Sequence, residues 1–144
     1  ATQVRGGVST ARRLRYCNAG HNPPLLRRAA PPLRAVPRQS IELLQEGGVP
    51  LGILPDAAFA CGEVALSAGD LLVVYSDGLT ESFDQQGNQY GEERLLAALE
   101  RALAAQPNAS AALVLQALVA DCERFRGGVR QQDDLTCLVL RLLP

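Results

Sequence analysis

Residues 67–81, Ser-Ala-Gly-Asp-Leu-Leu-Val-Val-Tyr-Ser-Asp-Gly-Leu-Thr-Glu, constrain the fold more than any other stretch. Ala68-Gly69-Asp70 has the chemistry of a turn, with one residue tolerant of positive φ and one side chain able to bond its own backbone. Leu71 to Tyr75 then runs without a charge and is rich in β-formers. A short apolar run bounded by turn signals predicts a strand buried on both faces. Asp77-Gly78 follows at its C-terminal end. In isolation an Asp-Gly pair is most often only a turn.

A second stretch changes that reading. Gln131-Gln132-Asp133-Asp134-Leu135-Thr136 leads into the apolar run Cys137 to Leu142, so here the acids precede the strand. If strands 71–76 and 135–142 lie antiparallel, the end of one meets the start of the other. Asp77 and the Asp133-Asp134 pair then converge at one edge of the sheet. Clustered carboxylates repel unless a cation neutralises them, and hard oxygen donors suit Mg²⁺ or Mn²⁺.

The rest of the chain predicts α+β architecture. Thr2–Val8 and Arg13–Asn18 read as a hairpin, with further strands at Leu25–Arg27, Ser40–Leu44 and Ala58–Leu66. Helical periodicity starts only at Gly91, where Leu95, Leu99, Ala102 and Leu103 share a face. A second helix after Pro107-Asn108 has the stripe Val114, Leu118, Cys122, Phe125 and stops at Gly127-Gly128. Strands, two helices in the C-terminal half and a last strand predict helices packed on a mainly antiparallel sheet.

At 144 residues, with 47% apolar and 20% charged residues, the chain has the length and composition of one globular domain or a large part of one. The absence of Met predicts an excised or processed piece, and the absence of Lys a coding bias. No stretch is long and apolar enough to suggest a membrane span. Four cysteines, Cys17, Cys61, Cys122 and Cys137, form no zinc-type spacing and predict a reduced, cytoplasmic protein. Residues 1–41 carry eight Arg and no acid, giving +8, whereas the remainder carries −9. Those Arg residues alternate with apolar positions and Pro without aromatic platforms, a pattern that argues against nucleic-acid binding.

Five segments together carry a family resemblance: Tyr16 to Leu26 (Tyr-Cys-Asn-Ala-Gly-His-Asn-Pro-Pro-Leu-Leu), Val49-Pro-Leu-Gly52, Ala68 to Glu81, Tyr90 to Leu95 and Gln132 to Thr136. In order and spacing they resemble the bacterial branch of the metal-dependent protein serine/threonine phosphatases (the PPM superfamily), typified by the stage II sporulation protein E. The resemblance implies an α-β-β-α sandwich with Mn²⁺ or Mg²⁺ in a two-metal site at one edge. It implies hydrolysis of phosphoserine or phosphothreonine on a regulatory protein, of the anti-sigma-factor antagonist type, with no nucleophilic side chain. Asp77 and Asp133 match metal-ligand positions, and Gly78 and Asp134 stand as supporting residues.

His21, the only histidine, invites an acid–base role, yet a ring that fixes its own loop is the stronger reading. Arg94 and Arg130 are the basic residues that could reach a phosphate, against the commoner reading of solvated arginines. The resemblance also implies that residues 1–144 are the C-terminal portion of the domain. The earlier portion, with a bridging Asp and a Gly-His-Gly segment, has no match here. The site is then incomplete in this chain, the chain alone is expected to be nearly inactive, and an open sheet edge predicts self-association as a homodimer. The competing reading is a non-catalytic, phosphatase-like module that works by protein contact.

Overall fold

The computed structural model describes residues 12–29 and 41–144. In chain order its elements are β1 (Arg12–Tyr16), β2 (Asn18–Ala19), β3 (Leu25–Arg27), β4 (Ile41–Leu43), β5 (Gly47–Gly48), β6 (Gly62–Leu66), β7 (Leu71–Tyr75), α1 (Asp77–Thr80), α2 (Gly91–Ala105), α3 (Ala111–Arg126) and β8 (Cys137–Arg141). The main sheet has the order β4-β3-β7-β8, antiparallel throughout. This is the expected α+β class, with the two long helices in the C-terminal half and a one-turn helix besides.

β7 and β8 pair as expected, from Leu71 opposite Arg141 to Tyr75 opposite Cys137. Alternation then sorts the side chains. Leu25, Leu71, Val73, Tyr75 and Val139 join one core with Leu95, Ala98, Leu99 and Leu103 of α2 and Val114, Leu118 and Cys122 of α3. The opposite face of β8 shows Leu138 and Leu140 to solvent. Ala102 and Phe125, expected in the helical stripes, are only half-buried.

Local chemistry sets the helix ends. Ser110 caps α3 by accepting from the Leu113 N–H, so that helix starts at Ala111 and not at Pro107-Asn108. Gly127, with φ 56°, closes it in the left-handed conformation. The Arg141 guanidinium donates to the carbonyls of Pro107 and Ala109, tying the α2–α3 connection to the last strand.

The strand expected over Ala58–Leu66 begins only at Gly62, because the Ala60 N–H is drawn to the Gly47 carbonyl at 3.1 Å. β1 pairs with β6; Thr2–Val8, the other half of the expected hairpin, lies outside the described residues. β2 and β5 form a two-residue parallel pair, an exception to the antiparallel rule.

An ion cluster joins the helices. The Tyr90 hydroxyl donates to Asp121 at 2.8 Å, and Arg101 and Arg124 reach the same carboxylate at 2.9 and 3.0 Å. Partial burial works to raise the Asp121 carboxyl, but the Tyr90 hydroxyl and the two guanidinium groups outweigh it and hold it below the usual value. A depressed carboxylate stabilises the fold above its unfolded pKa of about 3.9, and that contribution is lost as pH falls through the folded value. The stability difference between wild type and Asp121→Asn is therefore expected to be constant near neutrality and to shrink in acid below about pH 4. Urea titrations of both proteins across that range check it; a difference independent of pH would remove Asp121 from the acid response.

Candidate metal centre

The end of β7 and the start of β8 are stitched together by one serine. The Ser76 N–H donates to the Thr136 carbonyl at 2.9 Å, and the Thr136 N–H donates back to Ser76 Oγ at 2.9 Å. Ser76 Oγ also donates to the Asp134 carbonyl at 2.9 Å. The antiparallel ladder is thus carried one residue past Tyr75, and the acidic loop is held against the strand end.

Gly78 sits where that loop crosses α1. A Cβ at this position would lie 2.5 Å from the Asp134 carbonyl oxygen and 3.3 Å from that of Asp133. No side chain fits there, so the glycine lets Asp77 and the Asp133-Asp134 pair share one edge. α1 itself is short. Its Gly78 carbonyl accepts from Ser82 Oγ at 2.8 Å, and Leu79 anchors it in the core.

Each of two acids has one oxygen occupied by backbone. Asp77 Oδ1 accepts from the Gly78 N–H at 2.9 Å, and Asp133 Oδ1 accepts from the Asp134 N–H at 2.7 Å. Asp77, Asp133 and Asp134 are all exposed, and among the described residues none of them enters an ion pair. Unpaired carboxylates with free oxygens on adjoining backbone are a donor set for a hard divalent cation, which is commonly held by one or two carboxylates plus water and phosphate oxygens. Among the described residues no group of three or more His, Cys, Asp or Glu side chains forms a cage.

His21 lies at the same end of the sheet by register, since Leu25 faces Val73 and the preceding loop runs past the end of β7. Its partners belong to its own loop. The His21 N–H donates to Asn18 Oδ1 at 2.7 Å, Asn18 Nδ2 donates to the His21 carbonyl at 2.7 Å, and the ring Nδ1 lies 3.0 Å from the Asn22 carbonyl. The Asn18 side chain thus bridges the loop through the His21 backbone, and the ring adds one contact to the adjacent Asn22 carbonyl. Arg94 is placed elsewhere, its guanidinium 4.6 Å from the centre of the Phe125 ring. Arg130 stays near the acids, lining a shallow depression with Gly78, Glu81, Arg126 and Asp133.

Ser76 and Ser82 went unnoticed in the sequence. A serine between a buried strand and an Asp-Gly is the available signal for the first; nothing marks the second.

Residues 7–143 match the family model described as Stage II sporulation protein E (SpoIIE). The chain belongs to the SpoIIE family. No curated protein matches the sequence. Among solved structures it is similar to the SiaA-PP2C domain of Pseudomonas aeruginosa, with 21% identity and a TM-score of 0.68 over 92% of this chain and 47% of that one. The RsbU and RsbW domains of Rv1364c from Mycobacterium tuberculosis match at 25% identity and a TM-score of 0.64, over 94% of this chain and 35% of that one. The Mn-presoaked phosphatase domain of the cell fate determinant SpoIIE from Bacillus subtilis matches at 18% and 0.60, over 99% and 60%. This SpoIIE-family chain therefore shares its fold with part of the PP2C phosphatase domains and spans about half the length of the first of these structures. Among its described residues no helix is long and apolar enough to cross a membrane.

Proposed function

We propose that the chain is the C-terminal portion of a cytoplasmic, metal-dependent protein serine/threonine phosphatase domain. Its substrate class is a phosphoserine or phosphothreonine on a regulatory protein of the anti-sigma-factor antagonist type. The observation that carries the reading is the close approach at Gly78, which sets Asp77 beside Asp133-Asp134, acids that enter no ion pair among the described residues. Membership of the SpoIIE family and the fold shared with PP2C domains support it.

In this reading Asp77 and Asp133 hold Mn²⁺ or Mg²⁺, while Ser76 and Gly78 set the spacing between them. When bound, such cations supply Lewis acidity toward the phosphoryl group and neutralise its developing charge. Asp134 adds negative charge at the same edge, and His21 orders the neighbouring loop. Two carboxylates leave coordination positions to be filled, so the rest of the two-metal site comes from outside this chain. By itself the chain then binds Mn²⁺ weakly and turns over little.

The test uses the intact parent phosphatase and a phosphoserine peptide. Activity is expected to require Mn²⁺ or Mg²⁺ and to vanish in excess chelator. Asp77→Asn and Asp133→Asn are each expected to weaken metal binding at least as much as loss of a supporting residue does, about 10–100-fold. Turnover undiminished by chelator, or by either substitution, would reject the mechanism. A folded parent that binds metal in neither form and has no turnover would favour a phosphatase-like module acting by protein contact.

A further inference from the structure

Two exposed cysteines stand where a ladder ends. β1 and β6 run antiparallel, with Arg13 opposite Ala65, Arg15 opposite Glu63 and Tyr16 opposite Gly62. The ladder ends there, and its register continued by one residue would set Cys17 opposite Cys61, each immediately outside its strand. Alternation along the strands places both on the face that carries Arg13, Arg15 and Glu63, all exposed. The Arg13–Glu63 ion pair, 2.6 Å long, already spans the two strands on that face. Both thiols are free, and both residues are exposed.

Beyond this point the strands part. The Asn18 N–H donates to the Glu46 carbonyl at 2.8 Å, and the Ala60 N–H donates to the Gly47 carbonyl at 3.1 Å. β5 therefore enters between the diverging chains, and the cysteines stand at the fork. Opposed residues of an antiparallel ladder have Cα atoms about 4.5–5.5 Å apart. A disulfide spans Cα separations of about 4.4–6.8 Å, which leaves room for the slight opening at a fork.

We propose that Cys17 and Cys61 form a reversible redox site that closes to an intrachain disulfide on exposure to a hydroperoxide. The thiolate of one cysteine attacks a peroxide oxygen, and the O–O bond breaks. The departing oxygen takes up a proton and leaves as an alcohol, or as water from hydrogen peroxide, while sulfur keeps the other oxygen as a sulfenic acid. The second cysteine attacks that sulfur, the S–S bond forms, the S–O bond breaks and water leaves with the thiol proton. Two electrons have then passed from the thiol pair to the peroxide. A dithiol reductant reverses the step by exchange.

The other cysteines are shielded. Cys122 is fully buried, and its thiol donates to the Leu79 carbonyl at 3.7 Å. Burial pushes the Cys137 thiol up to about 11, which starves it of thiolate. Closure at the fork would clamp the base of the Asn18–Asn22 loop, which lies at the same sheet end as Asp77. The redox site does not depend on the phosphatase reading.

The test treats the full native chain with hydrogen peroxide, alkylates the remaining thiols and maps the peptides by mass spectrometry. Two of the four cysteines are expected to be lost to alkylation, with the Cys17 peptide joined to the Cys61 peptide inside one chain and released by dithiothreitol. In Cys61→Ser, Cys17 is expected to stop at a sulfenic acid that dimedone captures. Crosslinks between chains without an intrachain link would overturn the proposal. So would oxidation of each cysteine to a sulfinic acid, or an intrachain link that forms equally fast in urea-unfolded protein.

Discussion

Replacing Asp70 with Ala is expected to cost about 2–4 kcal/mol of stability, because it removes a buried carboxylate that accepts hydrogen bonds from two backbone N–H groups and a guanidinium. Asp70 is only 1% exposed. Its Oδ1 accepts from the Ala29 N–H at 2.9 Å, and its Oδ2 accepts from the Ser67 N–H at 3.0 Å and the Arg28 guanidinium at 3.2 Å. The residue also closes the sheet at its far end, since the Leu142 N–H donates to the Asp70 carbonyl at 2.9 Å. Removal of the carboxylate leaves two amide N–H groups and part of a guanidinium without acceptors. Arg28 keeps Glu42 at 2.7 Å and the Ala65 carbonyl at 2.5 Å, which limits the loss. Asp70→Asn retains the shape and one acceptor oxygen, so it is expected to fall between wild type and Ala. Urea unfolding measures both. A cost below about 1 kcal/mol for the Ala variant would mean that water replaces the carboxylate there.

Gly78→Ala is expected to have the second-largest effect and to strike stability and site together. The added Cβ meets backbone, 2.5 Å from the Asp134 oxygen and 2.9 Å from its carbonyl carbon, so no side-chain rotation relieves it. Either α1 or the acidic loop must move, at a cost of about 1–3 kcal/mol typical of overpacking. The same shift separates Asp77 from Asp133. Metal-dependent turnover of the intact parent should therefore fall even at temperatures where the variant remains folded. Gly52, which has nothing near it, makes the control: Gly52→Ala meets no such clash, although its φ of 84° adds local backbone strain. Turnover by Gly78→Ala equal to that of wild type would show that the close approach does not set the spacing of the acids.

The pairing of β7 with β8 was legible because its signals were redundant. An apolar run, a turn before it and an acid after it mirrored the order around Asp133. The long helices were legible for a similar reason, with Leu95–Leu103 and Val114–Cys122 repeating at helical spacing. α1 was not, since Asp-Gly-Leu-Thr is too short for any period and begins like a turn. The β2–β5 pair left no trace either. Two backbone-to-backbone steps at Gly47-Gly48 have no side-chain pattern to read. The acids of the site were visible as charges next to a buried strand. What holds them, the hydroxyl of Ser76 and the missing Cβ of Gly78, shows only once the strands are paired.

The wedge formed by β5 also bears on how the chain reaches this state. Arg13 and Glu63 meet across fifty residues of sequence, so β1–β6 closure is a slow, non-local event next to the helical contacts of α2 and α3. Two strands in register tend to continue zipping, and continuation past Tyr16–Gly62 would pair Asn18 with Ala60 and shut β5 out. The two pairings exclude each other, because Gly47-Gly48 occupies the edge of Asn18 that Ala60 would otherwise take. Glycines suit that position, since a side chain on Gly47 would run into the Asn18 carbonyl. The fork is thus the point at which the sheet commits to β5 as the neighbour of β2 in place of a longer β1–β6 ladder.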